Sequence, residues 1–212
     1  MAEKPSTGPD APHNLEANAV AYFKNAETFR EKQQERSMRE CYEKALEFGR
    51  DSETPVGLAT ASEASLYLGH IYKTRYLTME AIDLYTESVD LGRRSGTPDG
   101  FYAAARAAWN LGNTLEEAGL LGLEDAFRDA MQLGRDSGMP DGLEVGAKAG
   151  FNLAVNMYPD EESISSELIE EIAQVWREVI KLGKDCGTTE GGEVAGKAGR
   201  YLRELLKARS KR

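Results

Sequence analysis

Four stretches of the chain read alike: "FGRDSETPVG" at 48–57, "LGRRSGTPDG" at 91–100, "LGRDSGMPDG" at 133–142 and "LGKDCGTTEG" at 182–191. Aligned on the leading Phe48, Leu91, Leu133 or Leu182, they recur at intervals of 43, 42 and 49 residues (48 to 91, 91 to 133, 133 to 182). The last interval is longer because "YPDEESISSE" (158–167) precedes it. Self-similarity at such a period marks a stack of units, none of which can bury its apolar face without a neighbour.

Glycine-rich stretches also cradle phosphates, and exposed N–H groups at helix starts attract anions. Here no strand pattern precedes the glycines and no Gly-Lys-Ser or Gly-Lys-Thr follows them, so the nucleotide-binding motifs are not met. The stretch reads instead as a passage from one helix to the next. In "SGTPDG", Gly96 is expected in the left-handed conformation that ends a helix. Thr97 is the N-cap of the next helix, and Pro98 takes the first helical position, where its missing N–H is not needed. Asp99 then meets the positive end of the helix dipole. Gly92 falls inside a helix that runs on past it.

Each unit holds two helical patterns. In "YLGHIYKTRYLTMEAIDLYTESVDLG", Leu68, Ile71 and Tyr72 share one face of a first helix, and Ala81, Leu84, Tyr85, Ser88 and Leu91 one face of a second. Leu68-Gly69, Tyr72, Ala81, Tyr85 and Ser88 fall at the spacing of the tetratricopeptide (TPR) motif, and this unit resembles that family without a gap. The next unit offers Leu111-Gly112, Leu115, Phe127, Ala130 and Leu133. The fourth has Leu153-Ala154 and Met157, then Trp176, Val179 and Leu182 after the insertion. The first is the weakest, keeping Tyr42, Ala45 and Phe48 but only Ala26 and Phe29 from its opening helix.

The resemblance implies an all-α, right-handed α-solenoid of four TPR-like antiparallel helix pairs plus a C-terminal capping helix. The units fall at about 17–54, 55–97, 98–139 and 140–190, after a flexible tail at 1–16 and before a cap at 191–212. The period exceeds the usual 34 residues because the helices are extended; the first helix of the third unit is expected from about 98 to about 118, roughly 31 Å long at 1.5 Å per residue. This spacing is similar to the longer TPR units of cargo-adaptor and polarity-scaffold proteins. The alanines and glycines of "FYAAARAAWNLG" and "GAKAGFNLA" let such long helices approach closely.

In that family, ligands are held on the face lined by the first helices. The matching positions are Glu63, Leu66, His70 and Lys73 in the second unit, then Arg106, Trp109, Asn113 and Glu116 in the third. The fourth supplies Lys148, Phe151, Val155 and Tyr158, and the last helix Lys197 and Arg200. Aromatic anchors beside a cationic end suit an extended or helical peptide with apolar and acidic residues. A register shift of one residue would turn Trp109 and Phe151 into packing residues. Asn113 and Lys148 match two positions of the clamp with which some TPR domains hold a C-terminal carboxylate, but Leu66 and His70 stand where its other residues would be.

The remaining features exclude more than they assign. Of 212 residues 41% are hydrophobic, enough for a packed core. A net charge of −10 argues against nucleic acid or an anionic membrane as the main partner. No run of about 18 apolar residues occurs, and "MAEKPSTGPDAPHN" lacks a secretory apolar segment, so a cytoplasmic location is expected. Cys41 and Cys186 form no disulfide or zinc pattern, His13 and His70 are isolated, and Asp160, Glu161 and Glu162 lack the spacing of a calcium loop. Neither a nucleophile–base pair nor a cofactor motif is found. The expected function is therefore non-catalytic: an adaptor or scaffold that holds another protein, with a self-assembling structural subunit as the alternative. The cationic end of the last helix (Arg200, Arg203, Lys207, Arg209, Lys211, Arg212) reads as a solvated face, or as a dock for an acidic partner.

Overall fold

The structure is a computed structural model and describes residues 12–158 and 165–209. Those residues form helices and connecting turns, with no strand among them. The order is α1 (Pro12–Glu31), α2 (Glu35–Ser52), α3 (Pro55–Thr74), α4 (Thr78–Ser95), α5 (Pro98–Ala118), α6 (Leu123–Ser137), α7 (Pro140–Asn156), α8 (Ser166–Asp185) and α9 (Thr189–Arg209). The first helix starts at Pro12, so residues 12–16, expected in the tail, are helical. The rest of that tail, Asp160, Glu161 and Glu162 of the insertion, and Lys211 and Arg212 lie outside the described residues. The chain divides into two compact units, 1–107 and 108–212, with the division inside α5.

In the first unit, the repeated stretch forms a joint between a second helix and the next first helix. Gly92 on α4 lies against the Gly100 carbonyl, and a Cβ there would come within 2.6 Å of the Ala104 Cβ and 2.9 Å of the Ser62 Oγ. Gly49 repeats this on α2, where a Cβ would meet the Gly57 carbonyl oxygen at 2.5 Å and the Ala61 Cβ at 2.9 Å. A buried serine locks each joint. Ser95 Oγ donates to the Gly92 carbonyl at 2.7 Å, and Ser52 Oγ to the Gly49 carbonyl at 2.8 Å. The chain then reverses through a left-handed residue, Gly96 (φ 64°) or Glu53 (φ 52°). Next, the Thr97 or Thr54 hydroxyl accepts the N–H of Gly100 (3.0 Å) or Gly57 (3.1 Å), as expected of an N-cap before a proline.

Within a pair, α3 and α4 run antiparallel. Ser62 bonds to Ser88, while Ser65, further along α3, donates at 2.8 Å to the Leu84 carbonyl, further back on α4. Gly69 lies under the Tyr85 ring, where a Cβ would approach within 2.5 Å of the ring. Tyr42, Ala45, Ala61, Ala64, Leu68 and Leu91 are buried in this unit's core, with Ala26 of α1 among them. The weak first unit of the sequence is thus a complete pair, whose opening helix contributes Tyr22 and Phe23 alongside Ala26.

The second unit repeats the joint twice. Ser137 Oγ donates to the Gly134 carbonyl at 2.7 Å. Cys186 stands in the serine's place, its Sγ 3.2 Å from the Gly183 carbonyl. Gly112 lies under Phe127 as Gly69 lies under Tyr85, and Gly150 sits between Met131 and Val179. Phe127, Leu133, Leu153, Ile172, Trp176, Val179, Ala198 and Leu205 are all buried. On α5, Ala103, Ala104, Ala105 and Ala107 of the first unit and Ala108 of the second are buried, in keeping with their reading as spacers for close approach.

Candidate partner-binding site

Equivalent places in successive first helices set the site. Trp109 follows Gly100 by the same nine residues that separate Phe151 from Gly142; Lys148 and Lys197 each follow their joint glycine, Gly142 or Gly191, by six. In the second unit these four side chains, with Asn152, Glu190 and Val194, line one cavity of about 270 Å³ between α5, α7 and α9. Phe151 serves two ends. It packs edge-on against Trp176 and Tyr201, with ring centroids 5.1 and 5.7 Å away, while remaining partly exposed on the cavity wall.

The lysine inside this cavity is already engaged. Lys148 Nζ lies 2.8 Å from Glu144 Oε1, 3.0 Å from Glu190 Oε1 and 5.8 Å from the Trp109 ring centre. Burial alone would lower its pKa; hydrogen bonds to the two carboxylates outweigh that and leave it raised. Burial pushes Glu144 up, and the bonds from Lys148 and Thr188 outweigh it, so its pKa is lowered. Asn113 is engaged too, its Oδ1 accepting the Asn152 amide at 2.8 Å, and Glu116 accepts from Asn156 at 3.1 Å. The two residues at clamp positions are therefore committed to protein partners. Lys197 and Arg200, by contrast, are exposed and form no ion pair with a described residue.

The first unit gathers Glu63, His70 and Arg106. Arg106 lies 3.7 Å from Glu63 and its guanidinium stands 5.5 Å over Tyr67, whose neighbours include Arg30 (4.9 Å), the stacked Tyr42 ring (5.2 Å), Phe23 (6.1 Å) and His70 (6.3 Å). Burial raises the Glu63 pKa, against the pull of Arg106. His70 Nδ1 is 3.1 Å from the Tyr85 hydroxyl. Burial, then the charges of Arg106 and Lys73, push its pKa down to about 4, so it is neutral near pH 7. A second, almost wholly apolar cavity of about 210 Å³ opens between Tyr42, Tyr67, Met38 and Ile71, with His70 and Arg30 at its edge.

Leu66 corrects the expected set. It is fully buried and presents no surface to a partner, because its place on α3 faces the core where Trp109 and Phe151 do not fully. Lys73 is partly exposed, and Val155 and Tyr158 are 46% and 41% exposed at the end of α7. Sequence reasoning missed Glu144, Asn152, Glu190 and Val194, and nearly all of the first unit's cavity. The pairs Glu144–Thr188 and Asn113–Asn152 join residues 44 and 39 apart, close to the repeat period, which is the signal that could have found them.

Among the described residues no group of three or more His, Cys, Asp or Glu side chains is placed to hold a metal ion, and no helix is long and apolar enough to cross a membrane. No family model matches the chain, and no curated protein does. Solved structures similar to it include the de novo designed helical repeat protein DHR64, at 19% identity over 92% of this chain and 96% of that one, with a TM-score of 0.35. A chain of the DHF58 filament matches at 15% identity over 93% and 98%, with a TM-score of 0.36. A chain of the DHF119 filament matches at the same identity and coverage with a TM-score of 0.24. The helical-repeat reading accordingly stands on the joint that this chain itself repeats.

Proposed function

We propose that the chain is a TPR-like, non-catalytic interaction module: a right-handed solenoid that holds a partner protein on the face lined by its first helices, in the cytoplasm. One observation carries this reading. Trp109, Lys148, Phe151 and Lys197, chosen by their place in the repeat, line a single cavity although they come from three different helices. Aromatic residues are enriched at protein interfaces, and tryptophan above all at their hot spots. A non-catalytic role is supported by how the polar groups are used. Lys148 is held between carboxylates, Asn113 by Asn152 and His70 by Tyr85, so each is already partnered within the fold.

The test is affinity capture from lysate of the source cells, comparing the native chain with a Trp109→Ala/Lys197→Glu double variant whose circular dichroism is unchanged. A partner held by the native chain and lost by the variant is the expected result. A partner retained by both overturns the assignment of the surface. Recovery of only the chain itself favours the alternative, a self-assembling structural subunit.

A further inference from the structure

We propose that the α5–α7–α9 cavity is an anchor site for one large apolar side chain, of leucine or phenylalanine size, carried by an acidic peptide whose neighbouring carboxylates meet Lys197 and Arg200. The inference rests on the reading above and assigns the partner's chemistry. At about 270 Å³ the cavity falls just short of the roughly 300–1,000 Å³ typical of small-molecule sites, which suits one side chain. Trp109, Phe151 and Val194 supply apolar wall. Lys148, whose charge is met by Glu144 and Glu190, does not call for a ligand carboxylate inside the cavity.

Of the uncommitted charges, Lys197 lines the cavity and Arg200 follows it by about one turn on α9. Lys197 and Arg200 are neighbours at i and i+3 on α9, exposed and without an ion pair to any described residue. The chain as a whole carries −10, but remote charges are screened beyond about 10 Å at 0.1 M salt, so Lys197 and Arg200 act beside the cavity together with their α9 neighbours Glu190, Glu193 and Glu204 rather than with the whole-chain charge. The capping helix, expected to lend Lys197 and Arg200 to the partner-binding face, thus supplies the charges of the site. Because Asn113 and Lys148 are engaged, recognition does not use a peptide's terminal carboxylate, and an amidated peptide binds as well as a free one.

The probe is Ser-Glu-Glu-Phe-Glu-Glu-Ser-NH2 with fluorescein coupled to its N-terminal amine, titrated by anisotropy with the full chain, beside versions with Ala for Phe or Lys for every Glu. The Phe/Glu peptide is expected to bind about 10–100-fold more tightly than its Ala version, the factor for burying one such side chain. Lys197→Glu/Arg200→Glu, on an exposed face where folding is unaffected, should weaken the Phe/Glu peptide and gain affinity for the Phe/Lys one. Equal binding of the Ala peptide, no binding of the Phe/Glu peptide at 1 mM, or no exchange of preference in the charge-reversed variant each overturns the proposal. If that happens while lysate capture still loses its partner in the Trp109→Ala/Lys197→Glu variant, the assigned chemistry fails and the interaction-module reading survives.

Discussion

Alanine in place of glycine should act in opposite directions at two helical positions of this chain. At Gly92 the new Cβ would lie 2.6 Å from the Ala104 Cβ and 2.9 Å from the Ser62 Oγ, and would press on the Gly100 carbonyl. Ordinary contact distances require α4 and α5 to part by about 1 Å, an overpacking that costs roughly 1–3 kcal/mol. Better helix propensity returns about 0.5–1 kcal/mol, so Gly92→Ala should destabilise by about 1–2 kcal/mol. At Gly196 a Cβ meets nothing within 4 Å, and only the propensity gain of about 0.5–1 kcal/mol remains. Urea unfolding followed by circular dichroism reads both. With a slope of about 1–3 kcal/mol per molar urea, the Gly92→Ala midpoint should fall by about 0.5–1 M and the Gly196→Ala midpoint should rise slightly. Equal or higher stability of Gly92→Ala would refute the tight joint.

Other changes test the joint and its neighbours. Ser95→Ala removes a buried hydroxyl from the Gly92 carbonyl and should cost about 1 kcal/mol in the same unfolding assay, whereas Cys186→Ser, which restores the residue used at the other three joints, should be neutral or stabilising. Thr97→Ala deprives the Gly100 N–H of its cap and should cost about 1 kcal/mol, measured against Thr97→Ser, which keeps the oxygen. His70 is held near pKa 4 in the fold against about 6.5 unfolded, so the unfolded chain binds the extra proton in between. Stability should fall by about 2–3 kcal/mol from pH 6.5 to pH 4 and then level off, with His70→Asn losing that part of the slope. A slope unchanged in the variant would show that His70 does not titrate as the structure implies.

Much of the architecture was legible because its signals are local. Gly96, Thr97, Pro98 and Asp99 specify one turn by backbone chemistry alone, and α5 runs over the span expected from them. The period then carries that reading to the other joints, including the one where Cys186 stands in for serine. The opening helix was harder to see, since Asn25 stands before Tyr42 where Leu68 stands before Tyr85, and the helix reaches the core through Tyr22, Phe23 and Ala26 instead. The site was legible only in part. Repeat position identifies which residues stand at equivalent places, which suffices for Trp109, Lys148, Phe151 and Lys197. It does not determine how far each is covered, and Leu66, at the place equivalent to Trp109 and Phe151, is fully buried. Partners such as Glu144 and Glu190 around Lys148 come from different helices, and their meeting depends on side-chain reach across the stack.

The central claim is that the partner sits on the α5–α7–α9 face, and site-specific photo-crosslinking in the source cell tests it most directly. Benzoylphenylalanine would replace Val155, exposed one turn beyond Phe151 on α7, in one variant and exposed Lys181 on α8 in another. The account predicts a covalent adduct with a partner protein at 155 and none at 181. An adduct at 181 alone, or at neither position, would contradict it.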